Sequence, residues 1–215
     1  MFKKKPFFIV FEGIEGSGKS YQAHKLYKNL KKKGITLIIT REPGGTEAAE
    51  RIRELILKDY FYTDTKKQFD KYTDTLLYMA ARNEHVKNKI IPAIKSKKVI
   101  ICDRFIDSTF AYQVYGKKVN NELVGSIHKH ILGNLKPNLT VLLKVNINKA
   151  IKRIKKRRSK NRYDKFKKKF YIDAQKAFLK LSKTTNKRYL VVDNSDDSKE
   201  TEKKIYDKVI EILAK

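Results

Sequence analysis

Residues Phe7 to Ser20, FFIVFEGIEGSGKS, constrain this chain more than any other stretch. The apolar run Phe7 to Phe11 has the character of a strand buried on both faces in a parallel sheet, and it leads straight into Gly13-Ile14-Glu15-Gly16-Ser17-Gly18-Lys19-Ser20. That octet fits G-x-x-x-x-G-K-[ST], a P-loop whose glycines let backbone N–H groups converge on phosphate oxygens at the start of a helix. In such a loop the lysine reaches the β- and γ-phosphates and the terminal hydroxyl ligates Mg²⁺, tasks that fall here to Lys19 and Ser20. A helical pattern follows, with Ala23, Leu26, Tyr27 and Leu30 on one face. Strand, loop and helix therefore come in the order the motif requires.

The chain of 215 residues suits one α/β domain, and no repeat or Gly/Ser/Pro-rich linker divides it. The apolar run near the N-terminus stops at Glu12, too short for a signal peptide, and no stretch approaches the roughly 20 apolar residues that span a bilayer. A single cysteine, Cys102, excludes an internal disulfide, so a reducing cytoplasm is the expected compartment. The net charge of +28 invites a nucleic-acid reading, but lysines spread over the whole chain describe a solvated surface better than a footprint. An acidic substrate benefits from that field in either case.

Along the chain, Gly34 predicts a helix stop and Thr36 to Thr40 a strand, which ends in the loop Arg41-Glu42-Pro43-Gly44-Gly45-Thr46. Thr46 is placed to cap a helix carrying Ala49, Ile52, Arg53 and Ile56, and residues 58–70 read as a loop. A helix is predicted from Tyr72 to Lys89, with Tyr78 and Arg82 four apart on one face. Such a pair can stack on a base and bond its edge, or it can be packing beside a solvated guanidinium. Val99 to Cys102 is a buried-strand run ending in Asp103-Arg104. At the carboxyl end of a strand beside a P-loop, Asp103 is placed to hold Mg²⁺ through its water shell, with a helix cap as the alternative, and Arg104 to take an acceptor phosphate. Cys102 alternates away from Asp103 and reads as core. Ser108, Thr109, Tyr112 and Gln113 present polar groups from a short helix. His128 and His130, two apart, make a poor metal pair.

Leu139 to Val145 and Tyr189 to Asp193 supply the fourth and fifth strands, and a helix from Thr201 to Leu213 closes the chain. Between them, twelve of the eighteen residues from Lys152 to Lys169 are Lys or Arg. This segment is a solvated helix face, an RNA-binding patch, or a lid whose Arg153, Arg157 and Arg162 close on a transferring phosphoryl group. The P-loop favours the lid, at about 152–164.

With these pieces placed, the chain resembles the bacterial thymidylate kinases over essentially its full length. The resemblance rests on EGIEGSGKS at the P-loop, TREPGGT after the second strand, LLYMAAR on the third helix and CDRFIDSTFAYQ after the third strand, in that order. It implies a P-loop NTPase of the nucleoside monophosphate kinase fold, a five-stranded parallel sheet flanked by helices with a basic lid, single-domain over 1–215. It further implies transfer of the ATP γ-phosphate to dTMP with Mg²⁺, in a homodimer, with no membrane and no specific nucleic acid as partner.

Carried across, Gly13, Ile14, Glu15, Gly16, Ser17, Gly18, Lys19 and Ser20 hold ATP, with Arg153 on the same side, and Ser20 and Asp103 hold the metal. Glu12 lies near the acceptor phosphate, Arg41 and Glu42 frame the acceptor site, and Arg53 and Arg104 serve the dTMP phosphate and sugar. Tyr78 stacks on thymine where phenylalanine is commoner, Arg82 bonds the base edge, and Ser108, Thr109, Tyr112 and Gln113 line deoxyribose and base. Glu15 stands where eukaryotic-type relatives carry an arginine, which leaves that work to a lid arginine, assigned to Arg157. The implied catalytic set is Lys19, Asp103, Arg104 and Arg157. The chain departs from the family pattern at Val114, at Asn161-Arg162-Tyr163-Asp164, at Asn138 and at Lys144. Two other classes remain beside this one: a P-loop kinase for another nucleoside monophosphate or a deoxynucleoside, and a basic RNA-binding protein that switches on ATP. A GTPase is disfavoured because no Asn-Lys-x-Asp motif occurs.

Overall fold

A computed structural model of the protein describes residues 5–57, 69–157, 162–184, 188–196 and 198–214. In chain order the elements begin β1 (Phe7–Glu12), α1 (Lys19–Lys32), β2 (Leu37–Arg41), α2 (Glu47–Leu57) and α3 (Lys71–His85). Then come α4 (Ile91–Lys95), β3 (Val99–Asp103), α5 (Ile106–Thr109), α6 (Asn121–Leu132) and β4 (Leu139–Lys144). The chain ends with α7 (Ile147–Lys155), α8 (Lys168–Thr184), β5 (Tyr189–Asp193) and α9 (Lys199–Leu213).

The strands form one parallel sheet in the order β2-β3-β1-β4-β5. β1 is central because it is apolar toward both faces. Phe7, Ile9 and Phe11 pack with Ala23, Leu26 and Leu30 of α1 and Ile205 and Val209 of α9, while Phe8 and Val10 pack with Ile100, Cys102, Val86 and Ile90 on the other side. The order reverses direction at β1, between β3 and β4, and ligands bind at such switch points beyond the strands' carboxyl ends. The register puts Arg41 and Phe11 level with Asp103, so the residues that follow these strands gather at one edge.

Local expectations are met where a side chain or glycine enforces them. Gly34 has φ +74° just past α1, and Thr46 Oγ1 accepts from Ala49 N at 3.3 Å at the start of α2. The helix expected to run from Tyr72 to Lys89 differs: α3 ends at His85 and continues as a π-helical segment, Val86–Ile90, into α4. Pro92 explains the widened turn, since it cannot donate to the carbonyl four residues back and its ring crowds that carbonyl. A second π-helical stretch, Phe110–Gly116, follows α5. The basic segment expected from Lys152 starts inside the last turn of α7. The expected loop over 58–70, apart from its last two residues, and positions 158–161 of the expected lid lie outside the described residues.

The core makes a direct prediction for stability. Phe11 is fully buried at the end of β1, so Phe11→Ala should lower the unfolding free energy by about 3–5 kcal/mol, read by urea denaturation.

Candidate active site

The loop from Gly13 to Gly18 joins β1 to α1 and is pinned on both sides. A Cβ on Gly13 would lie 2.5 Å from the Leu143 carbonyl oxygen, and one on Gly16 would lie 2.4 Å from that of Ala150. Arg153 of α7 grips the same loop: its Nη1 donates to Gly16 O at 3.1 Å and its Nη2 to Asn194 O and Ser195 O at 3.0 and 2.9 Å. The sequence reading brought Arg153 to the phosphates as part of a lid; in the structure it braces the backbone that would hold them. α1 begins without a side-chain cap, which leaves the amides of its first turn directed at the loop's hollow. Lys19 is buried and folds back on the loop, its Nζ 2.7 Å from Ile14 O. Burial first, then the charge of Arg104, pull the Lys19 pKa down to about 7.

Ser20 Oγ donates to Asp103 Oδ2, which joins the first turn of α1 to the end of β3. Asp103 Oδ1 is buried and has no hydrogen-bond partner among the described residues. Asp103 does not cap the next helix, since α5 starts after Phe105 with no side-chain cap bond.

Arg104 adopts φ +72°, a left-handed conformation unusual for a residue with a Cβ. That turn swings its guanidinium back over β1. Nη1 donates to Gly13 O at 2.9 Å and Ser108 Oγ at 3.0 Å, and Nη2 to Glu15 Oε1 at 2.7 Å. Burial disfavours the Arg104 charge, but Tyr112, Glu15, Asp103 and Glu12 outweigh it and raise the pKa. Glu15 takes a second bond from Tyr112 OH at 2.7 Å. Its side chain thus reaches across to Arg104 and Tyr112, while its backbone stays in the phosphate loop. Glu12 accepts from Phe105 N, Ser108 N and Ser108 Oγ, at 2.8, 3.2 and 2.7 Å, and lies behind the wall. Burial, then the Asp107 charge, push its pKa up to about 8.

The cleft so formed takes in about 900 Å³ of space, its open mouth included. Lys19, Ser20, Asp103 and Arg157 line it together with Tyr78, Arg82, Thr109 and Gln113. Arg41, Glu42 and Arg53 close the side toward α2. Arg41 pairs with Glu50 at 2.9 Å, and Arg53 Nη1 donates to Pro43 O at 2.6 Å. Arg157 sits half-exposed at the rim and pairs with Asp164 at 3.5 Å. Arg162, expected with it near the phosphates, instead meets Asp74 on α3.

Arg82 is buried, and most of its donors are already engaged. Nε donates to Glu42 Oε2 at 2.7 Å, Nη1 to Thr109 Oγ1 at 2.8 Å and His128 Nε2 at 2.6 Å, and Nη2 to Phe105 O at 3.0 Å. Burial would raise the Glu42 carboxyl, but Arg82 and His85 overcome it and hold the pKa below its ordinary value. Burial and the Arg82 charge push His128 down to about 3, so its neutral ring accepts. His130 is exposed, and neither histidine joins a metal cluster among the described residues. Sequence reasoning missed Tyr163, Phe105 and Leu57 as lining residues and His85 and His128 as supports. The two histidines carried no periodic signal beyond their helices.

A family profile described as thymidylate kinase matches residues 11–205. A thymidylate kinase of Halothermothrix orenii is 37% identical over 211 residues, covering 97% of this chain and 98% of the relative. One from Bacillus licheniformis is 39% identical over 190 residues, covering 87% of each. The crystal structure of thymidylate kinase from Ehrlichia chaffeensis superposes with a TM-score of 0.71 at 30% identity, covering 97% of this chain and 99% of that one. With a family match across most of the chain and relatives alike along nearly their whole length, the chain that carries this phosphate loop, acid–arginine turn and aromatic-lined cleft belongs to the thymidylate kinase family.

Proposed function

We propose that the protein transfers the γ-phosphoryl group of ATP to dTMP, giving dTDP and ADP. One observation carries the reading: Lys19 and Ser20 of the phosphate loop line the same cleft as Arg104, Tyr78 and Gln113, so donor and acceptor phosphates can meet within it. ATP takes the loop amides and Lys19. The acceptor lies toward α3, its phosphate at Arg104 with Arg41 and Arg53 nearby, and its base against Tyr78, Thr109, Tyr112 and Gln113.

Catalysis in this scheme is positioning and charge neutralisation. The acceptor phosphate is already anionic at neutral pH, so no side chain need remove a proton. Arg104 stays charged and is held by Glu15, Gly13 O and Ser108, which fixes its direction before substrate arrives. Arg157, at the rim, is the arginine for the transferring group. The hydroxyl of Ser20 beside the unpartnered Asp103 Oδ1 fits an Mg²⁺ site, a hydroxyl ligand with a carboxylate held through water. When bound, the ion neutralises charge on the β- and γ-phosphates. The full chain acts as one kinase domain.

The homodimer reading is supported by Tyr72 and Leu76 on α3 and Leu123 on α6, exposed apolar side chains on two helices that pack together. No helix among the described residues is long and apolar enough to cross a membrane, and a cytoplasmic setting suits the lone buried thiol of Cys102.

Three measurements check this reading. ADP release across dTMP, dUMP, CMP, AMP and thymidine, with and without Mg²⁺, should be fastest with dTMP and need the ion; a faster rate with another acceptor reassigns the substrate. Because Lys19 titrates near 7 when the loop is empty and a bound polyphosphate favours its charged form, nucleotide binding should take up protons. Calorimetry in buffers of differing ionisation enthalpy should show close to one proton at about pH 8, less at pH 6, and none attributable to this site in Lys19→Met. Finally, Arg157→Ala should lower kcat about a hundredfold or more while changing the KM for dTMP little. A loss confined to dTMP affinity would place Arg157 in the acceptor site.

A further inference from the structure

Asp74 stands on the first turn of α3, completely buried, and is not part of the cleft wall. Its Oδ1 accepts from Nη2 of Arg162, and its Oδ2 accepts from Lys117 Nζ at 2.7 Å and Gln113 Nε2 at 3.3 Å. A carboxylate without solvent contact thus gathers a guanidinium, an ammonium and an amide from two remote segments. Buried acids need such partners, but here the partners lead back to the site.

The first of them belongs to a single 3₁₀ turn, Arg162–Lys165. A turn that short cannot hold its own shape, so its position depends on outside contacts. Besides Asp74 these include the ring of Tyr112, against which the Tyr163 ring packs, and hydroxyl and carbonyl bonds of Tyr163. Its OH meets Tyr78 OH at 2.8 Å and accepts from Gln113 Nε2 at 3.4 Å, and its carbonyl accepts from Tyr171 OH at 2.6 Å. Tyr163 lines the cleft beside Tyr78 and Gln113. The next residue, Asp164, holds Arg157 at 3.5 Å. Arg157 is half-exposed and rich in rotamers, so the side chain opposite it decides where its charge points.

We propose that Asp74 is a positioning residue: by seating the Arg162–Lys165 turn it places Tyr163 against the acceptor end of the cleft and, through Asp164, sets Arg157 toward the transferring phosphoryl group. This rests on the part given to Arg157 above. The base end and the phosphate end of the cleft then share one support outside both.

Asp74→Asn keeps the shape and removes the charge. We expect kcat with dTMP to fall about tenfold and the KM for ATP to stay within about twofold, with Asp74→Asn/Arg157→Ala no slower than Arg157→Ala alone by more than about twofold. Losses that multiply across the pair overturn the proposal, because a general loosening of the fold does not depend on Arg157. Should Asp74→Asn fail to fold, Arg162→Gln enters the same cycle from the turn's side. Backbone amide exchange over residues 162–171 needs no turnover and should accelerate in either variant; unchanged exchange overturns the seating. An unsubstituted protein that fails to phosphorylate dTMP would remove the functional reading, while the exchange result would still decide whether Asp74 seats the turn.

Discussion

The contact between Arg104 and Glu15 holds the two halves of the site in one frame. Glu15 belongs to the phosphate loop and Arg104 to the turn after β3, so a 2.7 Å ion pair ties the donor seat to the acceptor wall. The pair is partly buried, and removing one partner of such a pair leaves a charge without compensation, at a cost on the order of 3–5 kcal/mol. It forms only because Arg104 accepts a left-handed backbone, which an ordinary strand exit would not give. Strain at one residue is thereby converted into a fixed direction for a guanidinium. Tyr112 completes the arrangement by bonding the other oxygen of Glu15 while its ring lies against Arg104, 5.3 Å from centroid to guanidinium.

Around this frame lies a shell of buried acids that hold the side chains and amides of the wall in place. Glu12 holds the amides of Phe105 and Ser108, Glu42 holds Arg82 and His85, and Asp74 holds Arg162, Lys117 and Gln113. Each is buried, and each ties its own segment to at least one that is remote in sequence. The wall is therefore rigid at its polar atoms, the condition under which fixed charges stabilise a reacting phosphoryl group without reorganising.

The strand, the loop and the start of α1 were legible because local chemistry dictates them: an apolar run, glycines with φ of +136°, +74° and +91°, and a lysine. Asp103 and Arg104 were legible from their place at the end of a buried run. The supporting shell was not, since its contacts join residues 39 to 96 apart in sequence and no periodicity marks them. The π-helical turns show the same limit from another side. Pro92 removes one donor from the helical ladder, but whether the helix stops or widens there depends on Val86 and Ile90, which are buried against Phe8, Val10 and Ile100 and keep the chain helical across the proline. Arg153 and Arg162 were visible as basic residues of one segment; that one meets backbone and the other Asp74 is settled by partners just after β5, in the P-loop and on α3.

The excess of positive charge is separable from this machinery. The surplus of +28 comes chiefly from lysines, whereas the buried ionisable set includes Glu12, Glu15, Glu42, Asp74 and Asp107 beside Lys19, Arg82 and Arg162. Inside, Glu42 meets Arg82 and Asp74 meets Arg162 and Lys117 in short ion pairs that the surface lysines do not enter. At physiological salt the field of those lysines decays over about 8 Å outside the protein. It can gather anionic nucleotides toward the cleft and speed their arrival, but so diffuse a field cannot tell one anion from another, a task that needs short-range contacts of the kind Tyr78, Gln113 and Tyr163 make with one another.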